Sequence, residues 1–220
     1  MTTQALSAYG IALRMGDGVA AGGVAVNSAT NASPIIVGTP TAHGIVDVSV
    51  VTVFGVLGNT AANGTWIAER VTATSLKLRG SAGNGGYTGG GALAQTDTFA
   101  TIAEMKDITD AGIQATLVDA SAHDGINWVS RVPTLLSGNT MRLSLNLVPS
   151  TPTHNPSTGL EFLLLTKARR RFLLVFPGLS KTAWLFTAFV TAHKVSAPVA
   201  GILTAETMLE VIDAPTLVAA

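Results

Sequence analysis

The chain has 220 residues and no cysteine, which excludes disulfides, zinc–thiolate centres and cysteine nucleophiles. Charged residues make up 12%, about half the usual share, while Gly is abundant at 23 residues. The formal net charge is zero but unevenly spread: Asp97–Asp124 holds six acids and Lys106, whereas Gly125–Lys194 holds eight bases and Glu161. Such segregation fits complementary faces, within a subunit or between copies, and the high apolar content fits burial between subunits.

Residues 1–28 are simple in texture, with a strand expected over Tyr9–Leu13 before the turn Gly16-Asp17-Gly18. No long apolar core with a small-residue cleavage site follows the N-terminus, so no leader is expected. Residues 29–96 read as all-β, with β-branched or alternating runs at Ile35–Val37, Val46–Val56, Thr65–Val71 and Ser75–Leu78. The tract Gly80–Gly91 lacks the Gly-Lys-Ser/Thr ending of a phosphate loop, and no helical pattern follows it. It reads as a flexible turn or linker. The whole stretch suggests a barrel or sandwich module of about 65 residues, near the lower limit for independent folding.

Further along, Thr98–Met105 reads as a strand, Asp110-Ala111-Gly112 as a turn and Ile113–Val118 as a second extended segment. Residues 119–139 show no sustained period and contain Asp124-Gly125, Pro133 and Gly138-Asn139. A structureless stretch of that length tends to be functional or to order on assembly. Met141–Leu147 alternates without a fault. A helix is expected at about 155–168, capped by Thr153 or Asn155, with Pro156 in its first turn and Lys167, Arg169 and Arg170 complementing its C-terminal end. Phe172–Phe176 and Ala183–Val190 form a hairpin pattern across Pro177–Thr182, which argues against a membrane-spanning helix over Phe172–Ala192. A last strand is expected at about Leu203–Ile212. The expected class is mainly β (α+β): a β-sandwich or barrel with one flanking helix, plus a small all-β inserted domain.

Catalytic chemistry finds little support. His43, His123, His154 and His193 show no metal-ligand spacing. His123-Asp124 lies near Asp119 and Ser121, but triads are assembled from separate elements, and no GxSxG elbow presents a serine. The acids at 104, 107 and 110 read as solvated, and three Trp and two Tyr give no aromatic-lined groove for a glycan. Arg169-Arg170-Arg171 is too short a run, in a near-neutral chain, for a nucleic-acid patch. No enzyme activity, metal or cofactor is expected.

The segment FATIAEMKDITDAGIQATLVDASAHDGINWVSRVPTLLSGNTMRLSLNLVP resembles the tail tube (major tail) proteins of long-tailed bacteriophages. Glu104, Ile108, Asp119, His123, Asp124, Gly125, Trp128, Arg131, Pro133 and Leu135 carry the match. It continues through Phe172–Pro177, Trp184–Thr191 and Ser196–Leu217, and the opening TQALSAYGIALRMGDG also looks like that family. The Ser-Pro usual before Asp-Gly is missing here, and Thr134 stands where the family has Gly. Residues 29–96 are absent from a minimal member and resemble a small all-β module that recurs in phage structural proteins.

The resemblance implies a discontinuous tail tube domain, 1–28 and 97–220, with 29–96 inserted on the tube exterior. It implies rings, usually of six, stacked head-to-tail into a tube, with tape measure, tail tip and terminator proteins as partners. It further implies that DNA passes through the lumen without specific binding, that no membrane is engaged, and that the protein belongs to the virion tail after assembly in the host cytoplasm. Candidate contacts between subunits or rings are Asp119, His123, Asp124, Trp128, Arg131, Pro133, Arg169 and Arg170. The alternatives are a tail terminator or other ring-forming protein, or a host-surface or glycan-binding tail protein acting through 29–96.

Overall fold

The computed structural model describes residues 10–19, 23–95, 97–120, 129–177 and 182–218. The protein is mainly β, with one α-helix among the described residues. In chain order the elements are β1 (Ala12–Gly16), β2 (Val24–Ala25), β3 (Ser28–Ala29), β4 (Ile35–Gly38), β5 (Ser49–Phe54), β6 (Gly64–Thr72), β7 (Ser75–Leu78), β8 (Ala92–Gln95) and β9 (Phe99–Thr101). They continue with β10 (Met105–Thr109), β11 (Ile113–Asp119), β12 (Arg131–Gly138), β13 (Thr140–Asn146), α1 (Leu160–Thr166), β14 (Arg170–Val175), β15 (Ala183–Ser196), β16 (Thr204–Val211) and β17 (Thr216–Val218). The chain forms two compact units.

The first unit comprises residues 1–101, 171–185 and 216–220. It contains a seven-stranded sheet in the order β2-β8-β5-β6-β7-β4-β3. The sheet begins on β2 and ends on β3, two residues apart in the chain, so it curls back on itself around Val37, Val51, Val53, Leu76, Leu78 and Leu93. Its first strand starts at Val24, five residues ahead of the boundary expected from composition.

β5 reads as an almost unbroken apolar run because both of its faces are covered. Val51 and Val53 enter the core of the curled sheet. Val48, Val50 and Ile67 instead pack with Phe99, Leu173 and Ala183, next to which β1, β9 and β14 run antiparallel. The Arg14 guanidinium of β1 donates to the carbonyls of Asp47 and Val48 at 2.6 and 2.8 Å. The seven-stranded sheet and the strands flanking it thus share one apolar layer.

The glycine tract 80–91 is not a linker. Gly83 N–H donates to Ala32 O, Thr88 N–H to Leu57 O, and Leu57 N–H to Gly89 O. The Tyr87 hydroxyl lies 2.9 Å from the carbonyls of both Val26 and Gly90. Glycine is required by close approach: Gly58 has φ +80°, and a Cβ there would strike Gly86 O. Composition alone does not separate a flexible tract from one laced onto its neighbours.

The second unit comprises residues 102–170 and 186–215, with strand order β10-β13-β16-β15. Met141, Leu143 and Leu145 of β13 and Ala205, Thr207 and Leu209 of β16 face inward, as the alternation requires. Helix α1 is shorter than expected because Asn155 caps a turn instead: its Oδ1 accepts the Ser157 N–H, and the chain turns until Gly159 becomes the N-cap. A Cβ at Gly159 would collide with Thr153 O. Lys167 closes the helix in the left-handed conformation (φ 52°), its N–H on the carbonyls of Leu163 and Leu164.

Candidate functional site

The strand expected over Thr98–Met105 is divided. β9 ends at Thr101, Glu104 takes φ 51°, and β10 restarts the chain on a different strand neighbour, β13. From there two long segments run as a ribbon. β10 continues into β11 across Asp110-Ala111-Gly112, and β12 continues into β13 across Asn139. Asp110 (φ 61°) makes the bend, the Asn139 N–H donates to Gly112 O, and Arg142 pairs with Asp110 at 3.5 Å. Beyond the bend, β11 and β12 pair with each other as a separate two-stranded sheet.

Residues 119–139 therefore differ from the loop expected there: Arg131–Gly138 is a strand. Ile113 pairs with Gly138, Ala115 with Leu136, Val118 with Val132 and Asp119 with Arg131. The register shifts between Ala115 and Leu117, and Pro133 sits opposite Leu117 beside that irregularity, where a missing N–H is tolerated. The Thr134 hydroxyl donates to Thr116 O and ties the strands together there.

The ribbon is apolar yet exposed. Leu135 and Leu136 are each 75% accessible, and Ile113, Leu117, Val118 and Val132 about half so. Among the described residues no third strand joins β11 or β12. An isolated two-stranded hairpin is marginally stable in water at best, and an apolar sheet edge is a template for pairing with another chain.

Of the candidate contact residues, Asp119, Arg131 and Pro133 come together on this ribbon, Asp119 directly across from Arg131. His123, Asp124 and Trp128 lie outside the described residues. Arg169 and Arg170 stand elsewhere, Arg169 just before β14 and Arg170 as its first residue, and the Arg170 guanidinium donates to Arg169 O. Leu135 and Leu136, the most exposed apolar pair of the ribbon, were outweighed in the sequence by Pro133. The eight-residue run RVPTLLSG bounded by Gly138-Asn139 was the available signal.

Several other polar side chains bond within the fold. His43 Nδ1 accepts the Ile45 N–H, and its Nε2 lies 3.1 Å from Thr72 O. His154 Nδ1 accepts the Val148 N–H, and His193 Nδ1 lies 2.8 Å from the Thr207 hydroxyl. Burial lowers the pKa of both His154 and His193. Trp66 and Tyr87 spend their polar atoms inside the first unit, Trp66 Nε1 donating to Ala62 O. Among the described residues no group of three His, Asp or Glu side chains could hold a metal ion, and no helix is long and apolar enough to cross a membrane.

No protein-family model and no curated protein matches the chain. Among solved structures, a chain of the six-fold symmetrised cryo-EM structure of the anti-feeding prophage baseplate is similar to it at 10% identity and a TM-score of 0.42. That alignment covers 54% of this chain and 83% of the other.

Proposed function

We propose that the chain is a structural subunit of a bacteriophage tail, a tail tube protein that assembles into stacked rings around a channel for DNA, and that it is not an enzyme. The observation that carries this reading is the β11–β12 ribbon, two strands of exposed apolar side chains that no third strand joins among the described residues. Such a ribbon is stabilised when another chain covers it, and a repeated heterologous contact of that kind builds a filament. The ordered set of tail tube motifs in residues 97–220 supports the same reading, with rings of six, tape measure, tail tip and terminator proteins as partners, and the virion tail as its place.

Electron microscopy of the purified protein tests it. Wild-type protein is expected to form long smooth tubes. The double variant Leu135→Asp, Leu136→Asp is expected to remain a soluble subunit with an unchanged melting temperature, because these side chains contribute little to the isolated fold. Single rings under all conditions, or tubes from the double variant, would overturn the proposal.

A further inference from the structure

The second unit presents an open sheet face on which Asp107 and Glu206 form no ion pair among the described residues. Asp107 of β10, Ser144 of β13, Glu206 of β16 and Lys194 of β15 stand in one cross-strand row. They point away from the covered face, since Ser144 and Glu206 alternate with buried Leu143, Leu145, Ala205 and Thr207. Asp107, Ser144, Glu206 and Met208 line a hollow of about 220 Å³. Arg142 borders it but already pairs with Asp110, and Glu206 closes no ion pair with Lys194. Asp107 and Glu206 thus flank the hollow without an ion pair of their own among the described residues, the one cation lining it, Arg142, being paired with Asp110.

The same unit carries cations without carboxylates. Lys167 ends α1 exposed, and Arg169 and Arg170 follow directly. Among the described residues none of the three forms an ion pair, and Arg170 bonds only the Arg169 carbonyl. Among the described residues of one copy, no ion pair joins Lys167, Arg169 or Arg170 to Asp107 or Glu206.

We infer that the open face of β10, β13 and β16 docks a second copy of this chain, with Arg169 and Arg170 of one copy entering the hollow between Asp107 and Glu206 of the next. The warrant is charge complementarity in a chain of zero net charge. A planar guanidinium bonds carboxylates in pairs, which suits Arg better than Lys for fixing the angle between copies. A contact between two different patches is heterologous and extends an assembly from copy to copy; here it adds a register to the stacking proposed above, on which this inference rests.

A charge-swap experiment tests it. Variant one is Arg169→Glu, Arg170→Glu; variant two is Asp107→Lys, Glu206→Lys. Assembly is followed by sedimentation and electron microscopy at about 50 and about 500 mM NaCl, with circular dichroism melting as the folding control. Each variant alone is expected to need about tenfold more protein to assemble. The two mixed are expected to recover assembly, since each then offers the other a complementary patch. Milder neutralised variants, Arg169→Gln with Arg170→Gln and Asp107→Asn with Glu206→Gln, replace any that melts early and are expected to assemble independently of salt. Wild-type assembly with no loss in either variant, or loss without recovery on mixing, overturns this inference and leaves the tube reading standing. Wild-type protein that stays monomeric overturns both.

Discussion

The Arg171 guanidinium pairs with the buried carboxylate of Asp97, whose other oxygen accepts the Gly18 N–H at 2.8 Å. Asp17 completes the clasp: its N–H donates to Thr98 O, and its carboxylate accepts the Thr98 N–H. The chain thus leaves β1 and returns to β9 through one closed neck. Burial raises the Asp97 pKa, while Arg171 and the Gly18 amide oppose the shift. Arg171→Ala leaves a buried carboxylate unpaired and is expected to cost about 2–4 kcal/mol, at the low side for a broken ion pair because Arg171 is partly exposed. Adding Asp97→Asn is expected to return part of that loss, read as the coupling in a double-mutant cycle by urea denaturation.

Leu173 is fully buried in the layer it shares with Val48, Val50 and Ile67. Leu173→Ala is expected to cost about 2–5 kcal/mol. Deleting residues 24–95 removes one side of this layer and uncovers Phe99, Leu173 and Ala183 together. The expected result is insoluble or unfolded protein, not a trimmed subunit; a folded deletion variant by circular dichroism would show that the sheet is dispensable.

His154 sets an acid limit. Burial, then His193, lowers its pKa from 6.5, while the backbone at Ala103 and Val148 and the Glu104 carboxylate act the other way. A folded-state value below the unfolded one means that the unfolded chain takes up the proton first. Stability is therefore full above about pH 6.5 and falls as pH drops toward the folded-state value. His154→Asn keeps an acceptor for the Val148 N–H but does not titrate. It is expected to flatten the difference in urea midpoint between about pH 7.5 and about pH 5.

Gly138 roots the ribbon against Val211, where any Cβ would collide with the Val211 side chain and approach its carbonyl to 2.9 Å. Gly138→Ala is expected to cost about 1–3 kcal/mol through displaced backbone. It is also expected to speed amide exchange at Gln114 and Ser137 more than at Leu143, which hydrogen-exchange measurements resolve.

What the sequence disclosed followed one rule: elements with one covered face announced themselves. β13 and β16 alternate because water lies on one side and core on the other, and both fell within about a residue of expectation, although β16, expected to be the last strand, is followed by β17. β12 escaped because both of its faces are exposed: Val132, Leu135 and Leu136 follow no inward–outward period, and Pro133 argued against a strand. The early end of the helix was hidden in turn chemistry, where Asn155 had two compatible uses and the backbone chose the Asx turn. Of the candidate contacts, the pairing of Asp119 with Arg131 could not be seen, because it depends on a register that only the Gly112–Asn139 bend defines.

A ribbon whose strands hold only each other is also the part of the molecule most open to attack. β11 and β12 present exposed backbone, and Arg131 offers trypsin a cleavage site on it. Once a neighbour covers the segment, the same peptide bonds are shielded. In the proposed assembly, protease lifetime therefore separates copies whose ribbon a neighbour covers from those left bare.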